Sequence, residues 1–358
     1  MNHLFSPFTL KTIVFKNRLV VSPMCEYSSL DGFANNWHLV HLGSRAVGGA
    51  SLVFTEAAAV SPEGRISFAD LGIWKNEHIE KLKEITDFII QQGSIPGIQL
   101  AHAGRKASHA EPWNGGNQVP SSQEKGWVTY GPSNLPFVPE EESPKAMELS
   151  GIEKAIEHFR LAATRSIKAG FKVLEIHAAH GYLIHEFLSP LSNHRTDQYG
   201  GVFENRIRFL MDIINSVQTV WPSNLPLFVR ISATEWIEGG WNLEDSIALA
   251  HHLKSAGVDL VDCSTGGNIS GVKIPLTPGY QVPFAESIRK NVQIPTGTVG
   301  LITESGQANS LIENEKADMV FLARELLRDP YFPLRAAYEL GQEIQWPHQY
   351  ERGKFRAK

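Results

Sequence analysis

The sequence has little cysteine, no long apolar run and no block of basic charge. Only two cysteines, Cys25 and Cys263, occur among the 358 residues, so we expect a reduced, cytoplasmic protein. No apolar run approaches the roughly 20 residues that cross a bilayer, and the first residues lack the basic and apolar regions of a signal peptide. The net charge of -5 comes from 33 basic and 38 acidic residues mixed along the chain, which argues against nucleic-acid and membrane partners.

What the sequence does have is length and apolar content. With 42% apolar residues, the chain can bury a large core. A plain (β/α)₈ barrel takes about 250 residues, so this chain exceeds one such barrel by roughly one long insertion and its tails. No linker or low-complexity tract interrupts the pattern, and we predict a single domain over residues 1–358.

Eight short apolar segments recur along the chain, and the apolar spacing of a helix follows each of them. Eight alternations predict an α/β fold, a TIM barrel whose active site lies at the carboxyl ends of its parallel strands. Residues 4–17 alternate around a turn and predict an amino-terminal hairpin that plugs one end of the barrel. The predicted strands are 19–21, 52–55, 95–100, 172–176, 227–231, 260–263, 294–299 and 319–322.

One connection breaks this rhythm. Residues 107–149 follow the third predicted strand and contain six prolines beside Trp113, Trp127 and Tyr130. Connections of this length are usually functional or disordered, and one that follows a barrel strand lies on the catalytic face. We therefore interpret residues 107–149 as a lid over the active site.

The richest stretch is residues 175–201, EIHAAHGYLIHEFLSPLSNHRTDQYGG. In a strand, alternate side chains share a face, so Glu175 and His177 point to the same side. His180 does not share that face if the strand continues, but the small residues around Gly181 allow the chain to turn. The turn would bring His177, His180 and Tyr182 around one pocket. Two imidazoles and a phenol suit the binding of a carbonyl or nitro oxygen and the delivery of a proton nearby.

Two other interpretations of the histidines stay open. A histidine at a strand end is about as often a structural residue as a catalytic one. The spacing His-x-x-His is also half of a zinc site, for which Glu175 or His185 would be the third ligand. A glutamate two residues before the first histidine is not a recognised zinc spacing.

The other strand ends carry glycine and cationic residues. Glycine-rich turns after strands seven and eight of a barrel, together with an arginine, form a common phosphate site. Gln99 and Arg230 add donors deeper in the barrel mouth. A ligand with a phosphate at one end and a polar ring at the other would match, and flavin mononucleotide (FMN) is such a ligand. The residues concerned are 264–267 after the sixth strand, 297–300 after the seventh, and Arg324 after the eighth.

At this point the sequence resembles a known family, the Old Yellow Enzyme family of FMN-dependent ene-reductases, and in particular its thermophilic-like, cysteine-bearing branch. The resemblance runs from about residue 4 to residue 353. It is carried, in the family's order, by KNRLVVSPMCEYSS, GIQLAHAGRK, the stretch at 175–201, FVRIS, ARELLRDP and QYERG.

The resemblance implies tightly bound FMN and assigns residues to each part of it. Ser22, Pro23, Met24 and Cys25 would run along the flavin; Ala57 and Gln99 would contact its ring; Arg230 would lie near N1 and the C2 carbonyl; Gly300, Ala323 and Arg324 would hold the phosphate. Ala323 stands where glycine is common in this branch, but its backbone N–H still suits a phosphate. Cys25 would tune the flavin. For Cys263, a structural role is the better interpretation. Two interpretations of Arg105 and Lys106 are equally supported: that they lie on a solvated rim, or that they bind a cofactor phosphate.

The resemblance also implies the reaction. NAD(P)H, with NADPH favoured, would reduce the flavin, and an α,β-unsaturated carbonyl or nitro compound would then be reduced in the same site. His177 and His180 would bind the activating oxygen, Tyr182 would supply the proton, and Tyr27 would line the opposite wall. No metal is expected.

The tail at residues 345–358 would lie at a subunit interface. In the branch that the chain resembles, an arginine in this segment enters the neighbouring active site, and Arg352 is the match. We therefore expect a homodimer or homotetramer. A frayed terminus is the alternative.

Three other functions compete with this interpretation. Relatives with an iron–sulfur cluster need four cysteines, and the chain has two. A zinc-dependent barrel hydrolase would be colourless and sensitive to chelators. A flavin protein with only a sensing role would be yellow, but no enone would reoxidise it.

Overall fold

The computed structural model of the chain describes residues 3–355. Eight parallel strands close into a barrel in chain order, and the last of them pairs with the first, as the alternation predicted. The eight barrel strands are β3 (Leu19–Val21), β4 (Leu52–Ala59), β5 (Ile95–Ala101), β8 (Val173–Ala178), β9 (Leu227–Ser232), β10 (Leu260–Ser264), β11 (Thr296–Thr298) and β12 (Met319–Leu322). Two further pairs lie outside the barrel: β1 (Phe8–Leu10) with β2 (Ile13–Phe15), and β6 (Tyr130–Gly131) with β7 (Lys145–Ala146).

Helices cover the outside of the barrel, and one of them was not predicted. The short α4 lies directly after the His177–Tyr182 segment, and its six residues are all buried. A fully buried helix has no polar face, so the sequence shows no amphipathic period there. The helices are α1 (Asn36–Val47), α2 (Ile79–Gln91), α3 (Leu149–Lys168), α4 (Leu183–Leu188), α5 (Phe203–Gln218), α6 (Leu243–Ser255), α7 (Val282–Val292), α8 (Ser305–Glu313), α9 (Arg324–Arg328) and α10 (Phe332–Glu339).

The amino-terminal hairpin fills the lower end of the barrel. Strands β1 and β2 pair antiparallel, with Phe8 opposite Phe15. Phe15 is fully buried in one cluster with Phe54, Phe228 and Phe321, which come from three barrel strands. This aromatic layer excludes water from the base of the barrel, so any polar group above it is desolvated from below.

The connection at residues 107–149 is largely irregular but hydrogen-bonded to the barrel. It contains the two-residue strands β6 and β7, which pair with each other. Trp127 Nε1 donates to the Glu63 carbonyl at 3.0 Å, and the His109 backbone N–H donates to the Ile66 carbonyl at 2.7 Å; both carbonyls belong to the segment after β4. The Trp113 side chain is 67% exposed. The connection is thus anchored along its length, while Trp113 lies at the surface.

The tail ends in a short 3₁₀ helix, His348–Gly353. Tyr350 packs edge-on against Tyr331 with 5.9 Å between ring centroids. Arg352 is exposed in the single chain. Among the helices of residues 3–355, none has the length and apolar content that crossing a membrane requires.

Candidate active site

The inner faces of β5, β8 and β9 place polar side chains just above the aromatic layer. Strand register sets Gln99 beside Glu175 and sets His177 beside Arg230. Gln99 Nε2 donates to Glu175 Oε1 at 2.8 Å. Asp262 on β10 follows next in the same register. The alternation that predicted a shared face for Glu175 and His177 therefore leads into the barrel interior.

Arg230 crosses the barrel. Its strand, β9, and strand β3 are four places apart in the ring of eight, so they lie opposite each other. Arg230 Nη1 donates to the Oγ of Ser22, directly after β3, at 3.1 Å, and Nε lies 3.1 Å from Asp262 Oδ2. The guanidinium therefore has fixed partners on two sides and lies beneath the open end of the barrel.

The chain turns sharply after β8. His180 has φ +60° and Gly181 has φ +72°, both in the left-handed region. A Cβ at Gly181 would lie 2.3 Å from the Gly267 carbonyl oxygen, so only glycine fits there. The His180 backbone N–H donates to Ser232 Oγ at 2.9 Å and holds the turn against β9.

This turn brings His177, His180 and Tyr182 together. The ring centroid of His177 lies 5.1 Å from that of His180 and 5.1 Å from that of Tyr182, both edge to face. His180 Nε2 lies 2.7 Å from Ser264 Oγ at the end of β10. Two imidazoles and a phenol thus surround one small space.

The two imidazoles are neutral. Burial, reinforced by the charge of Arg230, lowers the pKa of His177 and of His180 well below the usual histidine value. The Ala179 backbone N–H donates to His177 Nδ1 at 3.3 Å. The single ring proton of His177 therefore sits on Nε2, which makes that nitrogen a hydrogen-bond donor.

The phenol of Tyr182 stays protonated. Burial raises its pKa well above the usual value for tyrosine, and the nearby Cys25 and Asp70 raise it further. The thiol of Cys25 is also neutral, since burial raises its pKa, and it hydrogen-bonds with the side chain of Tyr27. Tyr27 packs edge-on against Trp113, with 5.9 Å between ring centroids. Tyr27 thus connects the segment after β3 to the long connection.

The turns after β11 and β12 form a cradle at the barrel's rim. Gly300 has φ +121°, and a Cβ there would lie 2.9 Å from Gln281 Nε2. Ala323 precedes α9, which Arg324 begins. Within residues 3–355 the Arg324 side chain forms no hydrogen bond or ion pair, so its guanidinium is free to bind an anion.

Gln281 is a residue that the sequence did not reveal. It accepts from Thr265 Oγ1 at 2.7 Å and donates to the Val299 carbonyl at 3.0 Å. It therefore joins the ends of β10 and β11 and supports the Gly300 turn. A lone glutamine in a polar loop gives no periodic or motif signal, which explains why it was missed.

The solvated rim considered for Arg105 and Lys106 is wrong. Arg105 is 5% exposed and donates to Asn268 Oδ1 at 3.1 Å. Lys106 Nζ donates to the carbonyls of His180 at 2.8 Å and Gly267 at 3.0 Å. Burial lowers the pKa of Lys106 to about 8. Lys106 thus holds the backbone of the active-site turn in place, and Arg105 holds Asn268, next to Gly267.

Glu175 and His185, the residues considered as a third zinc ligand, have other partners. His185 Nδ1 accepts from the Gly181 N–H at 2.9 Å, and its Nε2 lies 3.3 Å from Glu235. Glu175 faces Gln99. Across the described residues 3–355, no group of three or more His, Cys, Asp and Glu side chains is arranged to hold a metal ion.

Comparison with known sequences decides the family. The model of the NADH:flavin oxidoreductase / NADH oxidase family matches residues 3–343. The chain belongs to this family, that of Old Yellow Enzyme. Its relatives include the NADPH dehydrogenase of Bacillus cytotoxicus, 50% identical over 98% of this chain and 96% of that protein. The NADPH dehydrogenase of Bacillus subtilis is 48% identical over 98% of each chain.

Solved structures agree with the Old Yellow Enzyme fold. Morphinone reductase, in the structure of a mutant in complex with tetrahydroNAD, matches with a TM-score of 0.78 and 25% identity over 98% of this chain and 93% of that one. A 2-naphthoyl-CoA reductase matches with a TM-score of 0.84 and 25% identity over 95% of this chain but only 52% of its own length. The predictions of a TIM barrel and an Old Yellow Enzyme relative are therefore confirmed.

FMN is the cofactor of this family and NAD(P)H its reductant, as the sequence predicted. The donors in the barrel mouth fit that cofactor. Arg324 follows β12, the neighbour of the strand that leads into the Gly300 turn, and its unpaired guanidinium within the described chain suits a phosphate. The side chains of Gln99 on β5 and Arg230 on β9 face the barrel interior and suit a polar ring.

Proposed function

We propose that this protein is an NADPH dehydrogenase that reduces the activated C=C bond of α,β-unsaturated carbonyl and nitro compounds. The observation that carries the proposal is the group of neutral imidazoles and neutral phenol at the end of β8. The name NADPH dehydrogenase, borne by relatives about 50% identical over nearly the whole chain, supports NADPH as the reductant.

The cofactor residues are proposed as a set that follows the length of FMN. FMN held by these residues would supply hydride transfer between the reduced nicotinamide and the β carbon of the substrate. Arg230 would offer its positive charge to the N1 and C2 carbonyl region, and the other residues would hold the ring and the phosphate. These are Ser22, Pro23, Met24, Cys25, Ala57 and Gln99 for the ring, and Gly300, Ala323 and Arg324 for the phosphate.

His177 and His180 would hold the substrate's oxygen. Negative charge grows on that oxygen as the β carbon accepts hydride, so donors fixed in advance stabilise the transition state more than the bound substrate. A neutral His177 with its proton on Nε2 is such a donor. Loss of one donor of this kind typically costs about 10²–10³ in rate.

Tyr182 would give its phenolic proton to the α carbon. The proton leaves the phenol oxygen, the new C–H bond forms, and the phenolate recovers a proton from solvent. A phenol whose pKa burial raises is fully protonated at neutral pH, so the donor is present in every turnover. Tyr27 would line the opposite wall.

The surrounding segments would complete the site. We propose that residues 1–358 act as one domain, that residues 107–149 act as a lid, and that the chain forms a homodimer or homotetramer in which Arg352 enters the neighbouring site. The exposed aromatic side chains Tyr331, Tyr350 and Phe355 support an interface at the tail. They line a groove of about 550 Å³ between the tail and α10.

The test is a pair of anaerobic half-reactions on the purified protein. The visible spectrum should be that of a bound oxidised flavin, and NADPH should bleach it. Cyclohexenone added afterwards should restore the oxidised spectrum. A protein that NADPH bleaches but that neither cyclohexenone nor a nitroalkene reoxidises would contradict the substrate class while leaving the flavin assignment intact.

A further inference from the structure

Two carboxyl groups and one guanidinium are enclosed in the middle of the barrel. Glu175 and Asp262 are each 0% exposed, and the phenylalanine layer seals them from below. Within the described chain, Glu175 Oε2 and both Asp262 oxygens lack a hydrogen-bond partner. Asp262 Oδ2 lies at ion-pair distance from Arg230 Nε, 3.1 Å, without the alignment of a hydrogen bond.

The charges of this layer do not balance if both carboxyl groups are ionised. Among the described side chains that face Glu175, Arg230 is the only cation, because His177 beside it is neutral and Gln99 carries no charge. An unpaired charge is very unfavourable in a desolvated interior, and the usual outcome is that the group takes up a proton. One of the two carboxyl groups should therefore be a neutral acid.

The contacts identify which one. Asp262 is next to the guanidinium, whereas the closest polar partner of Glu175 is the neutral amide of Gln99. Burial raises the pKa of Glu175 well above its usual value, and the charge of Asp262 raises it further. At Asp262 the guanidinium opposes the effect of burial on the pKa. Glu175 Oε1 accepts from Gln99, which leaves the unpartnered Oε2 for the proton.

We propose that Glu175 is a positioning residue that stays a neutral carboxylic acid, while Asp262 is the one carboxylate that balances Arg230. Glu175 Oε1 then fixes the orientation of the Gln99 amide, and the layer beneath the flavin ring carries no net charge. The proposal rests on the flavin contacts proposed above for Gln99 and Arg230. It adds a statement about charge: the flavin ring would lie next to the Arg230 guanidinium, whose charge the Asp262 carboxylate already balances.

This charge balance predicts that the effects of substituting Glu175 and Asp262 on the midpoint potential of bound FMN are not additive. In E175Q a neutral group replaces a neutral group, so the midpoint potential of bound FMN should stay within about 30 mV of the original, the shift that corresponds to a tenfold change for a two-electron couple. In D262N, Glu175 should release its proton and become the carboxylate that balances Arg230. The midpoint potential should again shift little. In E175Q/D262N nothing balances Arg230, and the potential should rise by more than about 30 mV because the electron-rich reduced ring is favoured.

Infrared spectroscopy of the oxidised holoprotein detects the carboxylic-acid group of Glu175 directly and needs no substrate. A carboxylic-acid C=O band that shifts in D₂O should be lost in both E175Q and D262N, beside any bands from the buried Asp70 and Glu186, whose pKa burial raises to about 7 and about 8. For the positioning role, E175L should weaken FMN binding about tenfold through loss of the Gln99 contact, whereas E175Q should not.

Two results would overturn the proposal. One is a rise in the midpoint potential of more than about 30 mV in E175Q alone, which would mean that Glu175 is ionised. The other is an infrared spectrum from which E175Q removes no acid band. Both measurements use E175Q, so they stand even if D262N fails to fold. Failure of cyclohexenone reduction would count against the substrate class only, because neither readout involves turnover.

Discussion

Gly181 packs against Gly267 so closely that a Cβ on Gly181 would lie 2.3 Å from the Gly267 carbonyl oxygen. The contact joins the turn after β8 to the turn after β10. Lys106 strengthens it by donating to the carbonyls of His180 and Gly267. The position of His180 and Tyr182 therefore depends on a backbone contact that no larger residue permits.

Substitution of Gly181 tests this dependence. G181A should push the turn away from Gly267 and lower enone reduction by about 10²-fold or more, since a displacement of about 1 Å can cost that much. G201A is the matched control, because Gly201 has φ +81° but an added Cβ there would have no atom within 4 Å. It shares the backbone strain without the clash, and steady-state rates should stay near those of the original. Equal loss in both variants would mean that strain alone matters.

His177 and His180 should act on one half-reaction. H177A and H180A should each slow the reoxidation of reduced flavin by cyclohexenone about 10²–10³-fold, because each removes a donor from the growing oxyanion. FMN affinity should change far less, since we assign neither imidazole to the cofactor. H251A, on the exposed face of α6, is the control. Stopped-flow absorbance separates the two half-reactions, and unchanged reoxidation in both active-site variants would contradict the assignment.

Cys25 should affect the cofactor's potential rather than its retention. C25S replaces a weak S–H donor by a stronger O–H donor next to the proposed flavin ring, so the midpoint potential should rise while FMN stays bound. C263S is the comparison, because Cys263 is fully buried and its thiol donates to the Val261 carbonyl, at 3.6 Å. Loss of FMN in C25S without a change of potential in the bound fraction would count against the contact.

A buried histidine far from the catalytic group should make the fold sensitive to acid. His78 Nε2 lies 2.9 Å from the Asp31 carbonyl, Nδ1 has no hydrogen-bond partner within residues 3–355, and burial lowers the pKa of His78 from 6.5 to about 4. The unfolded chain therefore binds one more proton than the folded chain between these values. The free energy of unfolding should fall as pH drops from 6.5 to about 4, by up to about 1.4 kcal/mol per pH unit from this group.

Urea denaturation over that pH range measures the effect. H78Q removes the titrating group, so its stability should depend less on pH than that of the original protein, whatever its absolute stability. An identical pH slope in the two proteins would show that His78 does not carry the effect.

Arg352 should be needed by the partner's site rather than by its own barrel. Truncation before Gln349 should lower turnover while the protein stays folded and yellow, and R352A should reproduce the loss without removing the Tyr350–Tyr331 contact. Mixing truncated subunits with H177A subunits should restore activity, because the truncated barrel then receives an intact Arg352. Unchanged kinetics in R352A, or full activity in a monomer, would contradict the proposal that Arg352 completes the partner's site.

Periodicity carried most of the fold prediction. All eight barrel strands were predicted, with bounds within about four residues of those observed, because apolar runs followed by helical spacing have few other solutions. The largest difference is at β4, which runs to Ala59 instead of residue 55, and β11 is shorter than predicted, Thr296–Thr298 instead of 294–299. Strand alternation also led correctly from Glu175 to His177 on the inner face.

What the sequence could not reveal are contacts between distant strand ends. The Gln281 bridge, the Lys106 contacts and the unpartnered oxygens of Asp262 within the described chain depend on which side chains meet across the barrel. No local pattern encodes those meetings. The residues assigned to FMN and substrate remain predictions for the same reason, since they rest on motifs and on proximity.

The closure between β3 and β12 has a consequence for biosynthesis. Arg18 Nη1 donates to the carbonyl of Asp318, 300 residues further along the chain. On the ribosome, β3 therefore emerges long before its neighbour on one side exists, and its edge stays unpaired until almost the whole chain has been made. Contacts of such long range also make folding slow. We expect chains that stop before residue 319 to be prone to aggregation and to require chaperones, even though seven of the eight strands are already present.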